Sequence, residues 1–176
     1  MLDLDIGRER VGMSFGAPRV EAVDVRREEL ASLLGLPEIP GDRPLVKACA
    51  GEWILAVPAR SEADLNGCRP RMGDLAALSL ELGVLGVHVY AVDPSRGLYT
   101  RFFAPAVGIP EDPVTGVANA ALAGALVLSG AEKGPDFRVR QGDAVDRPGE
   151  MDVHATAREV RVTGQAIVLS RGHVTL

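Results

Sequence analysis

Two carboxylates, a hydroxyl, a glycine and an amide fall within nine positions of one another in Glu111-Asp112-Pro113-Val114-Thr115-Gly116-Val117-Ala118-Asn119. Pro113 suits the first turn of a helix, where its missing N–H costs nothing, and Asp112 immediately before it is a good N-cap. A helix start offers unpaired N–H groups and a partial positive charge, so the amides of Thr115, Gly116 and Val117 could hold a substrate carboxylate. Gly116 would let the ligand approach the backbone, and Thr115 could add one more hydrogen bond. Asp112 or Glu111 could move a proton if a cleft perturbs its pKa. A cap followed by an apolar face explains the same residues as a purely structural buried helix, so on spacing alone both readings stand.

The elements around this segment follow from periodicity. Residues 114–129 are apolar on nearly every side and dense in small residues at Gly116, Ala118, Ala120, Ala121, Ala123, Gly124 and Ala125, with Asn119 as the only amide side chain. A helix of that kind must be enclosed, and its small residues let surrounding strands come close. The expectation is a helix of about four turns beginning near Pro113, inside a sheet that wraps around it. Leu30, Leu33 and Leu34 predict a helix over 27–34 stopped by Gly35, and Leu75, Leu78 and Leu82 predict another over 71–82 stopped by Gly83. Both should lie outside the wrapped helix.

Strand patterns cover 10–15 and 20–25. Runs 45–50 and 53–57 read as an antiparallel pair about Gly51-Glu52, and runs 86–92 and 98–103 as a hairpin with a five-residue loop, 93–97. The tail adds strands over 137–141, 150–155, 159–163 and 165–169, whereas 104–113 reads as a loop. The whole is an α+β roll or barrel, mostly antiparallel, in one domain.

Composition sets the outer limits. With 176 residues, 47% of them hydrophobic, one continuous core is within reach. A formal net charge of -5 without long charge runs argues against nucleic-acid binding and a membrane-surface patch. No stretch reaches the roughly 20 apolar residues of a transmembrane helix. The N-terminal Met1-Leu2-Asp3-Leu4-Asp5 lacks the pattern of a secretion signal, so the expected location is the cytoplasm. Cys49 and Cys68 lack metal-ligand or CxxC spacing and read as reduced thiols, with no metal site expected. His88, His154 and His173 have no acidic or cysteine partner at ligand spacing and read as structural or exposed.

The string Phe103-Ala104-Pro105, four residues, then Pro110-Glu111-Asp112-Pro113-Val114-Thr115-Gly116, Ala118-Asn119 and an alanine-rich helix resembles the second-lobe signature of the PhzF-like isomerases, the phenazine biosynthesis-like family. Gln141-Gly142, Arg147-Pro148-Gly149 and Gly164-Gln165-Ala166 are similar to that family's C-terminal strands, so the resemblance runs from about residue 10 to 174. It implies a diaminopimelate epimerase-like fold: two pseudo-symmetric lobes, each a sheet rolled around a central helix, with the active site between the helix N-termini. It also implies proton transfer on a small carboxylate-bearing metabolite with no metal and no organic cofactor.

Carried over by resemblance, Asp112 is the second-lobe catalytic acid and Gly116 the ligand-facing glycine. Val117 stands where a substrate-contacting serine is common, and Asn119 where histidine is common. Residues 1–176 correspond to one C-terminal lobe; nothing in them reads like the first lobe's Ser-Glu-Thr segment, which carries the catalytic glutamate, or its Gly-His-Ala-Thr segment.

Two functions are open at this point. One is an isomerase whose Asp112 site, with Glu111, Thr115, Gly116, Val117 and Asn119 about the substrate, is completed by a homodimer partner or a complementary lobe. The other is a non-catalytic module that binds small anions or serves assembly. Cys49 and Cys68, away from any expected helix start, do not look like the paired thiols of amino-acid epimerases.

Overall fold

A computed structural model describes residues 3–6, 10–95, 97–132, 134–167 and 172. Its spine is one curled sheet of eleven strands. These are β1 (Asp3–Ile6), β2 (Arg10–Phe15), β3 (Arg19–Ala22), β4 (Val46–Cys49), β5 (Trp53–Pro58), β6 (Val87–Asp93), β7 (Gly97–Ala104), β8 (Ile109–Asp112), β9 (Asp136–Gln141), β10 (Gly149–Ala155) and β11 (Val160–Gln165). The order across the sheet is β1-β2-β11-β10-β9-β7-β6-β5-β4-β3, with β8 added alongside β7. Among the described strands, β5 with β6 and β7 with β9 pair in parallel and the other pairs are antiparallel. The α-helices among the described residues are α1 (Arg27–Leu34), α2 (Glu62–Gly67), α3 (Met72–Leu82) and α4 (Gly116–Leu128).

The roll closes around α4 because α4 has no polar face to show water. Every residue from 118 to 126 is buried, and Leu122 and Leu126 are wholly enclosed, as the all-round apolar pattern requires. A Cβ built on Gly124 would stand 2.4 Å from Pro18 Cβ, so glycine is what lets the chain leading into β3 lie directly on the helix.

Strand patterning states which parts of the sheet are covered twice. In β5, Ile54 and Ala56 join the core around α4, while Leu55 and Val57 join a second core under α1, α2 and α3. The same division separates Tyr90 from Val89 and Ala91 in β6, and Phe102 from Tyr99 and Phe103 in β7. With both faces buried, these strands read as nearly continuous apolar runs. In β9 and β10 the pattern alternates instead: Phe137, Val139, Met151 and Val153 point inward, and Arg138, Glu150, Asp152 and His154 meet solvent.

Local signals account for most boundaries. Helices α1 and α3 end at left-handed glycines, Gly35 at φ 70° and Gly83 at φ 62°. β3 stops at Ala22, short of the expected 25, and the β6–β7 strands extend until Asp93 pairs with Gly97. One strand, β11, runs from Val160 to Gln165 where two were expected to meet at Gly164; residues 168 and 169 of the expected last strand lie outside the described residues. Strand β1, the short helix α2 and the ordering of the presumed loop 104–113 into a 3-10 turn (Pro105–Val107) and β8 were not evident from periodicity.

Candidate active site

Asp112 is not the helix cap that Pro113 suggested. It is the last residue of β8, opposite Phe102 of β7, and the helix begins four residues later with Thr115 in the cap position. The residue before a proline is held extended, which suits a strand end as well as a cap, and pairing with β7 decides for the strand. The cap expectation is therefore corrected, but the carboxylate still turns toward the helix start: Thr115 Oγ1 donates to Asp112 Oδ2 at 2.6 Å. Asp112 is half-buried, within reach of solvent.

The connection between strand end and helix start rests on Gln141, the last residue of β9. Its Nε2 donates to the Asp112 carbonyl at 2.8 Å and to Thr115 Oγ1 at 3.0 Å. Its Oε1 accepts from the Thr115 N–H at 3.3 Å and from Asn119 Nδ2 at 2.7 Å. Gly142 makes this approach possible. At φ 96° it takes a left-handed turn, and a Cβ there would stand 2.2 Å from the Arg147 carbonyl oxygen and 2.5 Å from that of Pro113.

The predicted site residues thus separate into groups. Because the Thr115 N–H is drawn to Gln141, the first-turn amides without an intrahelical acceptor are those of Gly116 and Val117, together with Ala118; the Asn119 N–H already reaches the Thr115 carbonyl at 3.2 Å. Beside Gly116 the space is open, the nearest atom to a built Cβ being Val162 Cγ1 at 3.9 Å, whereas Val117 is half-buried near Gly51 and Phe15. Glu111 has both carboxylate oxygens on Arg101, at 2.9 and 2.8 Å, and its side chain is only 12% exposed. That carboxylate holds β8 against β7. Asn119 is wholly buried one turn into α4, with its amide shared among protein groups.

Three residues outside the sequence-derived set complete the site. Gln141 belongs to the C-terminal resemblance with no role attached, Arg101 opens the signature segment without one, and His88 reads from sequence as structural or exposed. His88 of β6 is fully buried, packs edge-on against Phe102 with ring centroids 5.6 Å apart, and bonds through Nε2 to Asn119 Oδ1 at 2.9 Å. An imidazole from β6 thus meets the Asn119 side chain inside the roll. Burial lowers the His88 pKa to about 4, against smaller opposing effects of the Asn119 bond and the Arg101 backbone.

That shift makes stability depend on pH. Between pH 6.5 and about 4 the unfolded chain binds a proton at His88 that the folded chain refuses, so stability from this residue is present above pH 6.5 and falls as the pH drops through that window. The loss expected is on the order of 3 kcal/mol. Urea midpoints at pH 7 and pH 4.5, compared between the chain and His88→Gln, measure it: the acid-induced drop should shrink in the variant.

The two cysteines are buried free thiols; burial pushes Cys68 up to about 11, where it is unreactive at neutral pH, and its thiol donates to the Leu34 carbonyl at 3.0 Å. His154 is paired with Asp136 on the solvent face, and His173 lies outside the described residues. Among the described residues no cluster of three or more His, Cys, Asp or Glu side chains could hold a metal ion, and no helix is long and apolar enough to cross a membrane.

A curled sheet around a buried helix is an α+β epimerase-like fold. The architecture superposes on the phenazine biosynthesis protein of the PhzF family from Bacillus anthracis with a TM-score of 0.78 at 20% identity, over 95% of this chain and 64% of that one. A predicted epimerase from Pseudomonas aeruginosa matches with a TM-score of 0.72 at 26% identity, over 97% and 63% of the two chains. The chain belongs to the PhzC-PhzF family, described as phenazine biosynthesis-like protein, whose sequence model matches residues 2–172. An uncharacterized isomerase of Deinococcus radiodurans is 38% identical over 169 residues, which are 92% of this chain and 55% of that protein. The chain therefore spans little more than half the length of this relative.

Proposed function

We propose that the chain is one lobe of a cofactor-independent isomerase that moves a proton on a small carboxylate-bearing metabolite in the cytoplasm. The observation that carries this reading is the Asp112 carboxylate, held by Thr115 at the mouth of a helix whose Gly116 and Val117 amides lack intrahelical acceptors. Asp112 transfers the proton, the two amides hold the substrate carboxylate, and Glu111 anchors the strand that carries Asp112. The second acid or base comes from a complementary surface, either a second copy of the chain or a further lobe. Val107, Ile109 and Val114, which flank Glu111 and Asp112 along the chain, are 55%, 43% and 41% exposed, as an uncovered association surface would be.

Titration with acetate and benzoate, followed by the amide signals of the labelled chain, tests the site. Gly116 and Val117 should shift first and saturably; movement elsewhere with these two unmoved sinks the assignment. Val117 in place of a hydroxyl favours the second reading, a small-anion-binding or assembly module. That reading expects the same amide shifts without any exchange of substrate protons in deuterated water, whatever the assembly state.

A further inference from the structure

Resting on that reading, we propose that His88 is a positioning residue: it anchors the far end of a one-directional hydrogen-bond relay that aims the Thr115 hydroxyl at Asp112 and leaves Asp112 the proton acceptor of the site. The polarity can be assigned group by group. The Asp112 carbonyl is an acceptor only, so the Gln141 atom 2.8 Å from it must be the NH2 group. Gln141 Oε1 then faces Asn119, which must present its own NH2 there at 2.7 Å, and the same Nδ2 also donates to the Thr115 carbonyl at 2.9 Å. Asn119 is left with its oxygen toward His88, so His88 must carry its proton on Nε2.

The other end of the relay is equally constrained. Thr115 Oγ1 receives the second Gln141 N–H at 3.0 Å and donates its single proton to Asp112 Oδ2 at 2.6 Å. Thr100 Oγ1 supports the middle of the array, 3.2 Å from Asn119 Oδ1 and 3.3 Å from Gln141 Oε1. It has one proton for two acceptors, and His88 supplies the missing donor.

The members come from β6, β7, β8, β9, α4 and the Thr115 cap of α4, all buried except at Asp112, so the array is shielded from water that would otherwise scramble its direction. His88 touches no substrate in this arrangement. It acts through Asn119, Gln141 and Thr115.

The unmodified chain gives the first test. Long-range proton–nitrogen correlation on histidine-labelled protein at neutral pH should show His88 neutral, with its proton on Nε2; the Nδ1–H tautomer or a charged ring overturns the relay. His88→Leu and His88→Gln give the second. In the leucine variant Asn119 loses a donor, so hydrogen exchange at the Asn119 and Gln141 side-chain amides should quicken about tenfold, the equivalent of one hydrogen bond. The Asp112 carboxyl carbon signal should move as well, and the glutamine variant, which can still donate, should restore both. A folded leucine variant with both signals unchanged refutes the proposal. None of these readouts needs substrate, so failure of the acetate titration with the relay intact would reject the anion site alone.

Discussion

Replacing Arg101 with methionine should lower the stability of the chain by about 3–5 kcal/mol, read as a fall in the urea midpoint with little change in slope. Arg101 sits in the outer face of β7 with its side chain 7% exposed, and it is the hub of the α2 end of the molecule. Its Nη1 donates to the Leu65 and Cys68 carbonyls, both at 2.9 Å, while Nε and Nη2 grip Glu111. Removing it strands a carboxylate and two carbonyls away from water, and unpaired buried groups cost far more than the pair itself contributes. The double change Arg101→Met with Glu111→Leu should therefore recover much of the loss. Recovery would show in the double-mutant cycle as a coupling of the two sites; a cycle that simply adds would refute the assignment of Glu111 as the structural partner of Arg101.

The second large effect concerns chemistry. Asp112→Asn should cut proton exchange into substrate carbon by roughly 10²- to 10⁴-fold in deuterated water, the usual contribution of a positioned acid or base. The measurement uses the chain with the complementary surface that completes it. Asparagine keeps the size of the side chain and an oxygen that can accept from Thr115, so the fold should hold while the proton-accepting group is lost. Exchange that persists at the original rate in a folded Asp112→Asn protein would remove Asp112 from the reaction. A solution mass taken on the same samples separates a missing partner from a missing base, since only the first is corrected by restoring the assembly.

How much of this was legible in the chain itself depends on the range of each interaction. The apolar circumference of residues 114–129 required burial, and α4 is buried. Leucines at helical spacing ahead of Gly35 and Gly83 marked α1 and α3, whose glycine caps are set by backbone conformations a few residues long. The alternation in β9 and β10 also showed, because a strand with one wet face writes its period into the sequence. The Asp-Pro-Val-Thr-Gly string pointed to the helix mouth and to the family.

What tertiary structure alone decided are the partners. Local rules made Asp112 a cap; pairing with Phe102 across the sheet made it a strand end. Glu111 stands in the sequence as a second candidate proton carrier beside Asp112, whereas the pairing of β8 with β7 sets it on Arg101, and Gln141 reaches Thr115 because β9 lies parallel to β7, with Gln141 opposite Thr100. His88 and Asn119 are 31 residues apart in the chain, and neither residue's neighbours foretell their bond. Helix and strand periods are properties of adjacent residues, whereas a buried polar network exists only once the curled sheet has brought distant strands to the same helix, where each donor must find an acceptor away from water.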